Sequence, residues 1–179
     1  MPYNTYRNKK EALFNSLDII KYTKADFIKI ETDENNIEIV RHLSKKNINV
    51  VSHIGVTPQK FNDFSKIKSV GKNKSEIEVL VNLAKKLENA GSKLIVLECI
   101  TAAASKKITK ALSIPTIGIG SSKYCDGQVL VIDDILDFNS TKEKPRFVKR
   151  YVNIEKHILK AIKKFVKEVK EEKFPSSKN

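Results

Sequence analysis

No apolar run in the sequence approaches the roughly 20 residues a membrane-spanning helix needs, and the N-terminal MPYNTYRNKK lacks the apolar core of a signal peptide. These two absences assign the chain to the cytoplasm. Cysteine is scarce as well: Cys99 and Cys125 are the two present, with no zinc-type spacing, and they read as core residues in a reducing compartment. Aromatic residues interleaved with basic ones, which would mark a nucleic-acid surface, are missing too. The formal charge of +13 therefore reads as lysine scattered over solvated helix faces and thickest on the last helix, which ranks nucleic-acid binding third, as a reading that predicts an affinity falling steeply with salt.

What is present is a repeated alternation of helical and strand patterns. The 179 residues suffice for one domain with a real core. Residues 7–22 carry Leu13, Leu17 and Ile20 at helical spacing, and DFIKIE (26–31) follows as a short strand. Residues 35–45 form a second helix, with Ile39, Val40 and Leu43 inward, before the strand INVVSHIG (48–55). The stretch 56–74 is irregular and polar, the length of a functional loop. Ser75 then caps a long helix whose stripe is Ile77, Leu80, Val81, Ala84 and Leu87, closed by Gly91.

The organising stretch is 94–134: the strand LIVLEC, a helix over 102–112, the strand SIPTIGIG, a Gly-bearing loop, and the strand QVLVID (128–133). Next, LDFNSTKEKPRF reads as a loop over one end of the domain. A helix over 153–173 sets Ile154, Ile158, Ala161, Ile162, Phe165 and Val169 on one face as a docking surface, and FPSSKN is a polar tail. Five strands alternating with helices, without a hairpin signal, leave two architectures: an open doubly wound sheet or a (β/α)8 barrel. A full barrel takes about 250 residues, so the chain is short by several units if it is one.

Ligand sites of parallel α/β folds open at the carboxyl ends of the strands. Glu98 stands at such an end, on the face it shares with Leu94 and Val96, and is a candidate general base. On FIKIE, period-two alternation puts Phe27, Lys29 and Glu31 on one face. There, a lysine can pair with a substrate carboxylate and a glutamate can bind a hard cation. His53 ends the next strand, with no second histidine spaced for a metal. Gly118 and Gly120 of IGIG allow close backbone approach but lack the rest of a nucleotide fingerprint.

The order SHIGVTPQ, SVGK, LIVLECI, IPTIGIGSSKYCDGQVLVIDD, KPRFVKRY and EEKFPS resembles the ketopantoate hydroxymethyltransferase family over nearly the whole chain. The resemblance implies a (β/α)8 barrel, a decameric assembly and the transfer of a hydroxymethyl group from 5,10-methylenetetrahydrofolate to 3-methyl-2-oxobutanoate, giving 2-dehydropantoate for pantothenate synthesis. It implies that Lys29 binds the keto acid, that Glu31 is a Mg2+ ligand, that Glu98 is the base removing the C3 proton, and that His53 is a neighbour of the site. The partners it implies are small molecules and like subunits.

Measured against that family, the chain departs in its upstream part. The first barrel strands, which supply two aspartates to the metal and a serine to the substrate, have no counterpart here, and Met1 falls inside the second aspartate's motif. Ser52 stands where the family has Gly, and Ser121-Ser122 replaces an Ala-Gly pair. The expectation is a partial barrel of about five parallel strands over 1–173, with a docking helix at its end and a tail over 174–179. A truncated gene model, a split enzyme or a decayed copy would each give this sequence, and weak activity is expected of it alone. The rival expectation is a non-catalytic barrel remnant or assembly partner. Apolar strand edges are expected at 26–31 and 128–133.

Overall fold

Helix formation in this chain is decided at the caps as much as by the apolar stripes. In the computed structural model, which describes residues 1–60, 68–138 and 147–176, Asn8 caps helix α1 (Lys9–Thr23) by accepting from the Glu11 N–H, and Asn73 caps α3 (Lys74–Asn89) by accepting from the Glu76 N–H. The expected cap at Ser75 is thus corrected to Asn73: its extended backbone frees the side-chain oxygen to take an orphan amide of the first turn. Thr101 caps α4 (Ala102–Ala111) in the same way. Between α1 and α3 lies α2 (Ile37–Ser44), entered through a single 3-10 turn over Glu34–Asn36.

The chain divides into two compact units, Met1–Val129 and Leu130–Asn179. The first holds five strands: β1 (Ile28–Glu31), β2 (Val50–Gly55), β3 (Ser92–Glu98), β4 (Thr116–Ile119) and β5 (Gly127–Gln128). They form one sheet, all parallel, in the order β1-β2-β3-β4-β5. Between the two architectures left open by the sequence, this order decides. A doubly wound sheet reverses its strand order at a switch point, whereas barrel units add each strand beside the last. The unit is a five-stranded segment of (β/α) barrel type.

Strand alternation then sorts the side chains. Ile28 and Ile30 of β1, Val50 and Ile54 of β2, and Ile95 and Leu97 of β3 are buried to 2% exposure or less. They meet Val40 and Leu43 of α2, Ala84 and Leu87 of α3, and Ile108 of α4 in one apolar cluster. The opposite face carries Lys29, Glu31, Val51, His53, Leu94, Val96, Glu98, Ile117 and Ile119, as the strand register requires. Gly91, at φ +103, ends α3 as expected, packed so close that a Cβ there would collide with Ser44.

One strand expectation fails. Residues 128–133 do not form a strand: β5 stops at Gln128, and Ile132–Leu136 is a short helix, α5. The chain beyond Gln128 has a ladder partner on one side at most, and Asp133 and Asp134 in the first turn of α5 favour a helix start through its dipole. Branched residues alone could not hold it extended. At the other edge, the Met1 nitrogen donates to the Lys29 carbonyl of β1 at 2.6 Å.

In the second unit, Asp137 gathers the chain. It accepts from Asn153 Nδ2 at 2.7 Å and pairs with Arg150 Nε at 3.2 Å, while the Tyr151 N–H donates to the Ile135 carbonyl. Asn153 also caps α6 (Ile154–Lys170). None of the residues of α6 is buried, and Ile158, Ile162, Phe165 and Val169 are half-exposed. Phe174, in the expected polar tail, packs edge-on against Phe165 at 5.4 Å. Most of the long loop expected over 56–74 is described, save 61–67; the centre of LDFNSTKEKPRF and the last three residues also lie outside the described residues.

Candidate active site

Three polar side chains share one face of the sheet where β1, β2 and β3 end. Glu31 closes β1 and faces His53 in register on β2, and Glu98 closes β3 opposite Gly55. His53 and Glu98 are therefore diagonal neighbours on one face, and His53 Nε2 lies 3.1 Å from Glu98 Oε2. The imidazole is buried, and the Glu98 side chain keeps 14% exposure. Lys29 shares the strand face but sits two residues deeper, about 7 Å along the strand from Glu31, and is exposed. Sequence alternation placed Lys29 and Glu31 on one face; the structure adds that the glutamate is covered and the lysine open.

Glu31 has an unusual environment. It is 3% exposed; its Oε1 accepts the Gln59 N–H at 3.2 Å, and its Oε2 has no hydrogen-bond partner among the described residues. A buried carboxylate oxygen without a partner costs roughly 1–3 kcal/mol or more, and it is the kind of donor a hard cation takes. Among the described residues no cluster of three His, Cys, Asp or Glu side chains surrounds a single point. The unpartnered carboxylate oxygen this region offers a cation, among the described residues, is Glu31 Oε2.

The backbone around the trio is tightly held. The Thr32 N–H and Oγ1 both donate to the His53 carbonyl, at 2.8 and 3.0 Å. The Val56 N–H donates to the Glu98 carbonyl at 3.0 Å. Ser121 Oγ donates to the Leu97 carbonyl at 2.7 Å and accepts the Ile100 N–H at 3.1 Å. Cys99 turns the chain sharply with φ +51, directly after Glu98. Burial, and then the Glu98 carboxylate, push the Cys99 thiol up to about 11, which leaves it inert as a nucleophile.

Gly55 permits the meeting. Its φ is +99, and a Cβ there would stand 2.3 Å from the Glu98 carbonyl oxygen and 2.8 Å from Ile100 Cγ1. Sequence reading passed over this glycine, over Thr32 and over the Gln59 amide, and counted Ser121 as a mild departure. A glycine at a strand's carboxyl end was the one available signal; backbone donors leave no trace in residue type.

Comparison with known proteins decides the family. The model of the family described as ketopantoate hydroxymethyltransferase matches residues 1–177. The chain belongs to this family. A 3-methyl-2-oxobutanoate hydroxymethyltransferase of Pelagibacter ubique (strain HTCC1062) is 50% identical over 179 residues, covering 100% of this chain and 68% of the relative. One of the same name from Clostridium botulinum (strain 657 / Type Ba4) is 43% identical over 180 residues, covering 100% of this chain and 65% of the relative. The chain thus spans about two thirds of the length of these curated hydroxymethyltransferases. A solved dihydrodipicolinate synthase from Oceanobacillus iheyensis overlaps 68% of the chain and 43% of its own, at TM-score 0.40 and 16% identity. Family membership makes this a transferase-family chain, and its five parallel strands agree with the partial barrel expected.

Proposed function

We propose that this chain carries the proton-abstraction centre for hydroxymethyl transfer to 3-methyl-2-oxobutanoate. The observation behind the reading is the His53–Glu98 contact, with the half-paired Glu31 on the same sheet face at the strands' carboxyl ends. A carboxylate there can take the C3 proton of a bound keto acid, leaving an enolate whose carbon attacks the one-carbon unit of 5,10-methylenetetrahydrofolate. The new bond is carbon–carbon, the bonds from the methylene carbon to the folate nitrogens break, water supplies the hydroxyl group of 2-dehydropantoate, and the C3 proton and the remaining water proton pass to the two folate nitrogens, releasing tetrahydrofolate. Bound Mg2+ would polarise the keto oxygen as a Lewis acid. Glu31 is the residue here that would hold it, through the free Oε2, and Lys29 would pair with the substrate carboxylate from its deeper place on the same face.

One carboxylate holds a cation such as Mg2+ weakly, since such sites draw on several oxygens. Slow turnover is accordingly proposed for this chain by itself. The same count favours a second reading, a barrel segment that does no chemistry. Incubating the protein in D2O with 3-methyl-2-oxobutanoate and Mg2+ separates the two. The first reading expects loss of the C3 proton signal by NMR, slowed at least about 100-fold in Glu98→Ala, and 2-dehydropantoate once 5,10-methylenetetrahydrofolate is added. Absence of both exchange and product, in protein that unfolds cooperatively on heating, leaves the second.

A further inference from the structure

His53 is 1% exposed, and among the described residues neither ring nitrogen has a hydrogen-bond partner of proper geometry. Leaving a buried polar group unpaired is destabilising, so packing alone does not account for an imidazole here. What the ring faces is Glu98: Nε2 stands 3.1 Å from Oε2, inside hydrogen-bond range but off the line of an N–H bond. The backbone on both sides does not give: Thr32 ties down the His53 carbonyl, and Val56 and Ser121 tie down the end of β3.

We propose that His53 is the positioning residue for Glu98, with Nε2–H donating to Oε2 and leaving Oε1 to receive the C3 proton. The proposal rests on the proton-abstraction reading above. A free glutamate side chain spreads over several rotamers, and fixing one costs conformational entropy. Proton transfer demands an approach of about 2.6–3.2 Å, and a misplacement of about 1 Å can cost 100-fold in rate. A buried, rigid ring anchored on the next strand removes that freedom before substrate arrives. It also assigns the tautomer: the proton sits on Nε2, and Nδ1 is bare.

Two measurements test this. In 15N-labelled protein, the His53 Nε2 resonance should show the Nε2–H tautomer and should move in Glu98→Ala; an unmoved resonance overturns the proposal without any appeal to activity. In the exchange assay, His53→Leu should slow C3 exchange about 100-fold while changing the dissociation constant of the keto acid less than about threefold. His53→Gln, whose amide N–H reaches toward the same oxygen, should recover at least about tenfold of that loss. If Gln is no better than Leu, or if the loss falls on binding, the ring serves packing and the proposal fails. If the unmodified chain shows no exchange while the Nε2 resonance still responds to Glu98→Ala, the functional reading has failed and the catalytic purpose of the pair falls with it, although the contact itself stands.

Discussion

The two faces of the sheet are made by the same strands and differ in nearly everything else. The helix-covered face presents Ile28, Ile30, Val50, Ile54, Ile95 and Leu97, buried almost completely. Its polar members are small: Ser52 bonds to Ser92 and Thr116 to Thr109, each hydroxyl satisfied by another. The opposite face mixes half-exposed Val51, Leu94, Ile117 and Ile119 with Lys29, Glu31, His53 and Glu98. Here Glu31 Oε2 and both His53 ring nitrogens, although buried, have no hydrogen-bond partner among the described residues. A fold keeps such groups where chemistry needs them, so one face of this sheet carries stability and the other holds the groups proposed to carry function.

The comparison breaks first on the covered face. Leu97→Ala removes a fully buried side chain and should lower unfolding free energy by about 2–5 kcal/mol, whereas Val51→Ala on the opposite face should cost about 1 kcal/mol. Urea unfolding of the two variants measures the contrast, and equal losses would show that the second face is packed as well as the first. Gly55→Ala comes next. It places a methyl group against the Glu98 carbonyl at a φ that L residues avoid, and should cost about 1–3 kcal/mol while slowing the exchange reaction more than Val51→Ala does.

The smallest effect is a pH dependence at the junction of the faces. Because the Cys99 thiol is raised to about 11 in the folded protein and an unfolded thiol titrates near 8.5, the unfolded chain loses its proton first as pH rises. Cys99 therefore contributes stability fully below about pH 8.5 and loses it progressively toward pH 11. Cys99→Ala should flatten that decline in thermal melts taken across this window. An unchanged slope would remove the effect.

Much of this was legible in the sequence. The stripe of α3 and the alternation of FIKIE are local periodicities, so the elements and the shared face of Lys29 and Glu31 could be read from residue order. The 128–133 segment was misread because branched apolar residues suit a strand only where a ladder exists to hold it, and β5 pairs with β4 for two residues alone. The cap of α3 was displaced by two residues because Asn73 and Ser75 are both good cap types and only the backbone angle chooses between them.

The sequence by itself determined the family, the repeating helix and strand units and the residue types able to do the chemistry, because motif order and period are written along one dimension. Only the tertiary structure decided that His53 and Glu98 touch. That contact depends on the parallel register of β2 and β3, on the register shift between Val50 and Val51, and on a glycine at position 55 that lets the two strands end close together. Such distances arise from pairing between residues 45 positions apart, 53 and 98, and no local pattern encodes them.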